Sequence, residues 1–374
     1  MTTISAPSST ARRLERLRAA IAEHGLDAVL ISNTENRRYL SGFSGSAGVL
    51  VITASHAVIA TDFRYYEQAE QQAPEFRLHK TVGGLQTWFR DLARDLELGG
   101  KKLGFEAADL TFQAYQQHVK IIQELPEPER PKLVATTSLV ESLRVIKDPE
   151  ELQLLQRVID IGDAAMAYVQ RAIEPGWTEK RVAWEIEKHI REHGGDSLSF
   201  PTIVAAGPHS ALAHAQPRDR AIEEGEMVVI DMGARLDGYC SDLTRTIFLG
   251  EPDDKFLRIY DIVAVAQRTA IETIEAGMTG EQAHMQAHAV IEEAGYGDAF
   301  GHGLGHGIGL QVHENPRLAR TSGDILREGM VFSIEPGIYL SGWGGVRIED
   351  LATLENGKVR LLSHAPYWNE RGTA

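Results

Sequence analysis

The sequence predicts an α/β domain followed by an α+β domain, on three observations. Helix and strand patterns alternate up to about residue 135. A Pro-rich stretch, Pro126–Pro131 (PEPERP), then precedes a long capped helix. Beyond Gly194 strand patterns dominate, with most of the histidines and a glycine-rich run. A chain of 374 residues fits roughly two to three domains and a sizeable core. The boundary is placed between PEPERP and Leu143–Glu150, giving domains 1–143 and 144–374.

In the first domain, Leu14, Leu17, Ala20 and Ile21 share one face of a helix over Thr10–His24, stopped by Gly25. Asp27–Ser32 (DAVLIS) reads as a buried strand and Arg37–Phe43 as a short helix. The small-residue turn Ser44–Gly48 leads into paired strands at Gly48–Thr53 and Ala57–Thr61. Helices follow at Phe63–Glu70, Leu85–Leu96 and Leu110–Val119, and a last apolar run spans Lys132–Ala135. Asp148-Pro149 opens a helix over Glu150–Ile173, where proline's missing N–H is harmless at the first helical position. Further helices are expected at Thr178–His193, Lys255–Glu275 and Thr279–Glu293.

Composition excludes several classes. Hydrophobic residues are 43% and charged residues 24%, as in ordinary globular proteins. The formal net charge is −15 with no Lys/Arg block, whereas a duplex binder needs a basic footprint. Cys240 is the single cysteine, so no intramolecular disulfide forms, which fits a reducing compartment. Beside Ser241 in a strand it reads as packing. The first residues are small and polar with no apolar stretch after them, and no segment approaches the roughly 18–20 apolar residues of a membrane span. A cytoplasmic protein with no nucleic-acid or membrane partner is expected.

The carboxylates carry the first functional signal. Met227–Gly233 (MVVIDMG) is a strand with Asp231 among apolar neighbours. Asp237-Gly238 is a two-residue hairpin turn. Facing residue numbers then add to 475, which sets Gly233 opposite Asp242 and Asp231 diagonal to it on the same face. A second hairpin joins Met330–Leu340 to Val346–Leu354 through a tip at Gly342. There the facing numbers add to 684, so Glu335 faces Glu349, Arg347 shares that face and Asp350 points away. A lone strand carboxylate is usually solvated. Four in matched hairpins repel one another, and cations would offset that repulsion and the cost of burial.

The second signal is Phe300–Glu314 (FGHGLGHGIGLQVHE). Glycine at alternate positions disfavours a helix and permits close backbone approach. His302, His306 and His313 fall within twelve positions. No P-loop Lys-Ser/Thr is present and the strand–turn–helix context of a dinucleotide fingerprint is missing. His284 and His288 stand one helical turn apart without the Glu of a zincin, and read as a helix surface. Four carboxylates with one imidazole suit Mn²⁺ or Co²⁺, and two divalent ions balance the charge. Such a pair holds a bridging water and lowers its pKa, the chemistry of metal-assisted hydrolysis. The other histidines and Arg347 could stabilise an oxyanion.

The segments VVIDMGARLDGYCSDLTRT, GHGLGHGIGLQVHENPR, GMVFSIEPGIYL and GVRIEDL resemble the pita-bread metallopeptidases, in their proline-specific branch of aminopeptidase P and prolidase. LRVIKDPEELQLLQ resembles that family's entry into the catalytic domain, and RRYLSGFSGSAGVLVIT its creatinase-like N-terminal domain. The resemblance implies a curved antiparallel sheet backed by helices in two pseudo-symmetric halves. It implies two divalent ions, Mn²⁺ first and Co²⁺ or Zn²⁺ as alternatives. Asp231 would chelate one, Asp242 and Glu349 would bridge both, and His306 and Glu335 would complete the second, Glu335 also taking a proton from the bridging hydroxide's parent water. His214 in AAGPHSALAHAQP matches a substrate-binding and catalytic histidine, seventeen residues before Asp231. His302 and His313 match residues near the prolyl group and the tetrahedral intermediate. Tyr339 and Arg347 match positions behind the ligands.

The activity so implied is Xaa-Pro aminopeptidase, acting on peptides with proline second, with strict Xaa-Pro dipeptidase (prolidase) as the alternative. A dipeptidase needs a cation for the dipeptide's free carboxylate, for which Arg317 in HENPR is a candidate, though that segment occurs in both types. Methionine aminopeptidase shares the ligands but usually lacks such an N-terminal domain. A non-catalytic peptide-binding relative and a metal-free creatinase-like enzyme would typically have lost ligands, and none is missing here. The resemblance also implies a homodimer or tetramer.

Overall fold

The computed structural model describes residues 8–368. Residues 1–7, on which the expectation of no leader partly rests, lie outside the described residues. The chain divides into two compact units, Met1–Arg144 and Val145–Ala374. Among the described residues no helix is long and apolar enough to cross a membrane.

The first unit holds a six-stranded sheet in the order Arg77–Lys80, Ala57–Thr61, Val49–Thr53, Ala28–Ile31, Lys102–Glu106, Lys132–Thr136. The two pairings around Val49–Thr53 are antiparallel and the other three parallel. Ala28–Ile31 is central and buried at every position, which is why AVLI carries no alternation. Phe89 and Leu92 from helix Leu85–Asp95, and Ile121 and Ile122 from helix Phe112–Glu124, pack against Leu30, Val51 and Leu103.

Two strands escaped the sequence reading. Arg77–Lys80 is a polar edge strand, and Lys102–Glu106 (KLGFE) is too short and mixed to show a period. The helix expected from Arg37 begins at Thr34, because Asn33 caps it by accepting from the Asn36 N–H, and it ends at Gly42 with φ 77°. Buried Arg37 donates to the carbonyls of Gly45 and Gly48 at 2.5 Å each, and so fixes the small-residue turn.

The second unit opens with helix Pro149–Ala172, whose Asp148 and Glu151 form a capping box with proline in the first turn. It packs against helix Glu179–Glu192 and on strands Ala234–Leu236, Tyr239–Cys240 and Leu243–Phe248 of the first hairpin, while Glu179–Glu192 packs on strands Ser197–Leu198 and Ile203–Ala206. Helices Asp254–Thr273 and Gly280–Glu293 pack together around Phe256, Val263, Ala283, Phe332 and Ile334, the first lying on strands of the second hairpin and the second on strand Glu314–Leu318. Strands 203–206, 227–232 and 243–248 form one sheet, and strands 305–307, 314–318, 331–334, 350–355 and 358–361 another. This mixed architecture matches the α+β expectation.

One helix face runs against expectation. His284 is 0% and His288 6% exposed, so this pair is buried and not a helix surface. Helix Gly280–Glu293 is covered on that side by Phe300, which both imidazoles contact. Polar residue type misled the reading, since a ring with a backbone partner is tolerated inside.

Asp163, on helix Pro149–Ala172, titrates at about 6 against an ordinary 3.8 because it is buried and repelled by Asp350, despite accepting from the His364 N–H at 2.6 Å. A carboxyl raised in the folded state binds its proton more readily there, so its contribution to stability falls as pH rises from about 4 to 6. Asp163→Asn is therefore expected to stabilise the protein by roughly 1–3 kcal/mol at pH 8. Little gain is expected at pH 4. Thermal midpoints of both proteins at the two pH values check this. A difference independent of pH would contradict it.

Candidate metal centre

Each hairpin keeps one register on both sides of an interruption. In the first, Leu243↔Met232 and Thr244↔Asp231 continue the register of Arg235↔Cys240 and Leu236↔Tyr239, all adding to 475. The ladder breaks at Gly233 and Ser241–Asp242. In the second, Ile334↔Asp350 and Gly337↔Arg347 both add to 684, and the break falls at Glu335–Pro336 and Ile348–Glu349. Carboxylates stand at or beside both breaks, where backbone groups turn to other partners. The Glu349 N–H bonds the Thr244 carbonyl at 3.1 Å, tying the hairpins together, and the Glu335 N–H bonds the Leu304 carbonyl at 2.8 Å.

The glycine run threads against this frame. A Cβ on Gly305 would lie 1.9 Å from the Ser333 carbonyl oxygen, so only glycine allows the chain to pass. The run thereby delivers His306. Its Nδ1–H donates to the Gly307 carbonyl at 3.0 Å, which leaves Nε2 as an acceptor. That Nε2 faces Glu335 Oε1 at 3.4 Å and Asp242 Oδ2 at 3.6 Å. Asp242, His306 and Glu349 each offer a ligand atom, all within 4.8 Å of one another.

Behind these groups lies Arg347, 3% exposed. It donates to Asp231 Oδ2 at 2.5 Å, to the Tyr339 hydroxyl at 2.8 Å and to Thr244 Oγ1 at 3.1 Å. Thr244 in turn donates to Glu349 Oε2 at 2.7 Å. Tyr339 donates to His302 Nε2 at 2.9 Å, since His302 Nδ1 bonds the Gly303 carbonyl at 2.8 Å. Ser333 holds Glu335 Oε1 at 2.9 Å.

Electrostatics make a carboxylate cluster costly without cations. Burial, then repulsion from Glu349, Asp231 and Glu335, pushes Asp242 well above the usual range. Burial and its acidic neighbours do the same to Glu349, and burial raises Glu335. Burial lowers His302 and His306, and partial desolvation lowers His313, favouring neutral imidazoles able to accept or ligate.

The residues fit divalent ions. Asp231 Oδ1 and Glu349 Oε1 are buried with no hydrogen-bond partner among the described residues. An imidazole acceptor faces two carboxylate oxygens, with no proton among these groups to join them unless an acid is neutralised. Oxygen donors with one imidazole suit hard or intermediate ions such as Mn²⁺.

The profile of metallopeptidase family M24 matches residues 153–356, and that of the Creatinase/Prolidase N-terminal domain matches residues 13–146. The chain belongs to metallopeptidase family M24. It is 36% identical to the Xaa-Pro dipeptidase of Pyrococcus furiosus over 354 residues, 93% of this chain and 97% of the relative. The solved Xaa-Pro dipeptidase of Bacillus anthracis superposes with a TM-score of 0.91 at 40% identity, covering 96% of this chain and 98% of that one. The X-Pro aminopeptidase of Thermotoga maritima superposes with a TM-score of 0.86 at 34% identity, covering 95% and 98%. The pita-bread fold expected from the motifs is thus that of this M24 chain, and it is an enzyme class that takes divalent metals.

Of the remaining candidates in this M24 chain, His313 packs edge-on against His306 with ring centroids 4.3 Å apart. His214 follows the turn whose Ala213 carbonyl bonds Arg347 at 3.5 Å. Both His214 and His313 are exposed at the rim. Arg317 is exposed, but in the ladder it stands opposite His306, so both side chains leave the sheet on one face.

Three contributors were not singled out from sequence. Thr244 and Ser333 are strand hydroxyls whose residue type alone signals no role. Glu179, 0% exposed, accepts from the N–H groups of Ala206 and Arg218, from the Arg218 guanidinium and from His209, and so clasps the loop bearing His214. An acid in the first turn of a helix is commonplace, so nothing in the sequence marks Glu179.

Proposed function

We propose that this M24 chain is a dinuclear-metal exopeptidase that hydrolyses the N-terminal Xaa-Pro bond of peptides. The facing acceptors His306 Nε2, Asp242 Oδ2 and Glu335 Oε1 carry the metal reading. Asp231, Asp242, His306, Glu335 and Glu349 would hold two ions, with Mn²⁺ the first choice. Bound ions would supply Lewis acidity and a water of lowered pKa.

The chain's own residues do the rest. Glu335 keeps Oε2 to accept a proton while Ser333 holds Oε1. Arg347 fixes Asp231 and Tyr339, and Tyr339 fixes His302. His214 and His313 at the rim donate to the scissile carbonyl oxygen as charge develops on it. His302 and Tyr339 offer a shaped wall for the prolyl ring. An Xaa-Pro bond is a tertiary amide with no N–H, so ordinary strand-type substrate contacts cannot select it.

Two forms of the activity divide on the far side of proline. The sequence expectation of an Xaa-Pro aminopeptidase has the exposed rim and the likeness to the Thermotoga enzyme in its favour. The Xaa-Pro dipeptidase form is favoured by Arg317, a cation on the face of His306, and by the likeness to the Bacillus anthracis and Pyrococcus furiosus enzymes. A homodimer or tetramer in the cytoplasm is the accompanying proposal. A matched pair of substrates with Mn²⁺ decides between the forms: an Xaa-Pro dipeptide, and the same sequence extended beyond proline. Cleavage of both is expected of an aminopeptidase. Cleavage of the dipeptide alone, lost in Arg317→Ala, is expected of a dipeptidase. Cleavage of neither by metal-loaded protein overturns the proposal.

A further inference from the structure

We infer that His284 is a positioning residue that holds the backbone at Leu304, between His302 and His306, and, through it, the backbone of Glu335. The inference rests on the metal-centre reading above. His284 lies on helix Gly280–Glu293 with 0% exposure, and its Nδ1 accepts the Leu304 N–H at 3.1 Å. Leu304 uses its other face to accept the Glu335 N–H at 2.8 Å. Leu304, through the N–H of one peptide group and the carbonyl of the next, thus joins a helix imidazole to the backbone of Glu335.

The same imidazole sits 5.4 Å from the Phe300 ring, which meets His302 edge-on at 5.1 Å. Leu304 itself is fully buried in the core, so its side chain anchors the segment while His284 sets its rotation. A leucine could fill this volume without an unpartnered group, yet His284 Nε2 is buried with no partner among the described residues. What imidazole adds is the acceptor at Nδ1. Burial, with His288 and Arg320 beside it, lowers His284 to about 4, so that acceptor persists at neutral pH.

Two variants separate orientation from space-filling. His284→Leu keeps most of the volume and loses the acceptor. His284→Asn puts Oδ1 at the place of Nδ1 and leaves a void. Mn²⁺ affinity by calorimetry, and kcat and KM on an Xaa-Pro substrate, are measured for both, with amide exchange of the peptide spanning residues 302–306. In the leucine variant, Mn²⁺ affinity and kcat are expected to fall about tenfold with KM little changed, and exchange to accelerate. The asparagine variant is expected to recover most of that loss. The reverse order, or equal loss in both, overturns the inference and leaves His284 a filler. If the leucine variant does not fold, exchange at Leu304 in the asparagine variant decides: protection close to that of the unmodified protein supports the contact, and lost protection refutes it. Unmodified protein that binds no Mn²⁺ defeats the metal reading instead, while the exchange comparison still reports on His284.

Discussion

Asp242→Asn is expected to lose nearly all activity and to bind divalent ions at least about a hundredfold more weakly. Groups behind a metal ligand typically contribute 10–100-fold to affinity or activity, so a ligand itself contributes more. Asp242 is 6% exposed, faces His306 Nε2 at 3.6 Å and shares its space with Glu349. Asparagine preserves shape and removes the charge that a cation would balance. The same change also relieves carboxylate repulsion in the metal-free protein, since burial and Glu349 hold Asp242 well above its usual range. The metal-free variant is therefore expected to melt at or above the metal-free parent. Lost activity with retained or raised metal-free stability separates a ligand role from a folding defect. Turnover close to the parent's would place the metal centre elsewhere.

Arg347→Ala is expected to be the most destabilising single change at the site, by about 3–5 kcal/mol, because it strands a buried charge. Its guanidinium is the described cation bonded to Asp231, at 2.5 Å, and it also organises Tyr339 and Thr244. Removing it leaves Asp231 without the partner of Oδ2 and Glu349 with a Thr244 no longer held. Arg347→Lys is expected to recover only part of the loss, since a point charge cannot reach three acceptors as a planar fork does. Urea midpoints of metal-free protein measure the stability, and kcat/KM measures the second effect. A midpoint within about 0.5 kcal/mol of the parent would show that Arg347 is dispensable to the fold of the site.

Much of the site was legible because hairpins are arithmetic. Asp237-Gly238 and the tip at Gly342 set registers of 475 and 684, and both registers run through the structure. Strand alternation then fixed which carboxylates share a face and sent Asp350 the other way, where it pairs with buried Arg245 at 2.7 Å. The interruption of each ladder was not legible. It comes from backbone partners distant in sequence, such as Thr244 for Glu349 and Leu304 for Glu335. The burial of His284 and His288 was misread for a related reason. The helix pattern shows which residues share a face, but Phe300, which covers that face, arrives from a loop with no period of its own. In the first unit two strands were not read: Arg77–Lys80, since pairing at an edge asks little of side chains, and interior Lys102–Glu106, whose KLGFE is too short and mixed to show a period.

Metal stoichiometry and position test the central claim most directly. Crystals of Mn²⁺-loaded protein, with anomalous diffraction at the manganese edge, are expected to show two ions ligated by Asp231, Asp242, His306, Glu335 and Glu349. No anomalous peak among these five residues, in protein that hydrolyses an Xaa-Pro substrate, would contradict it.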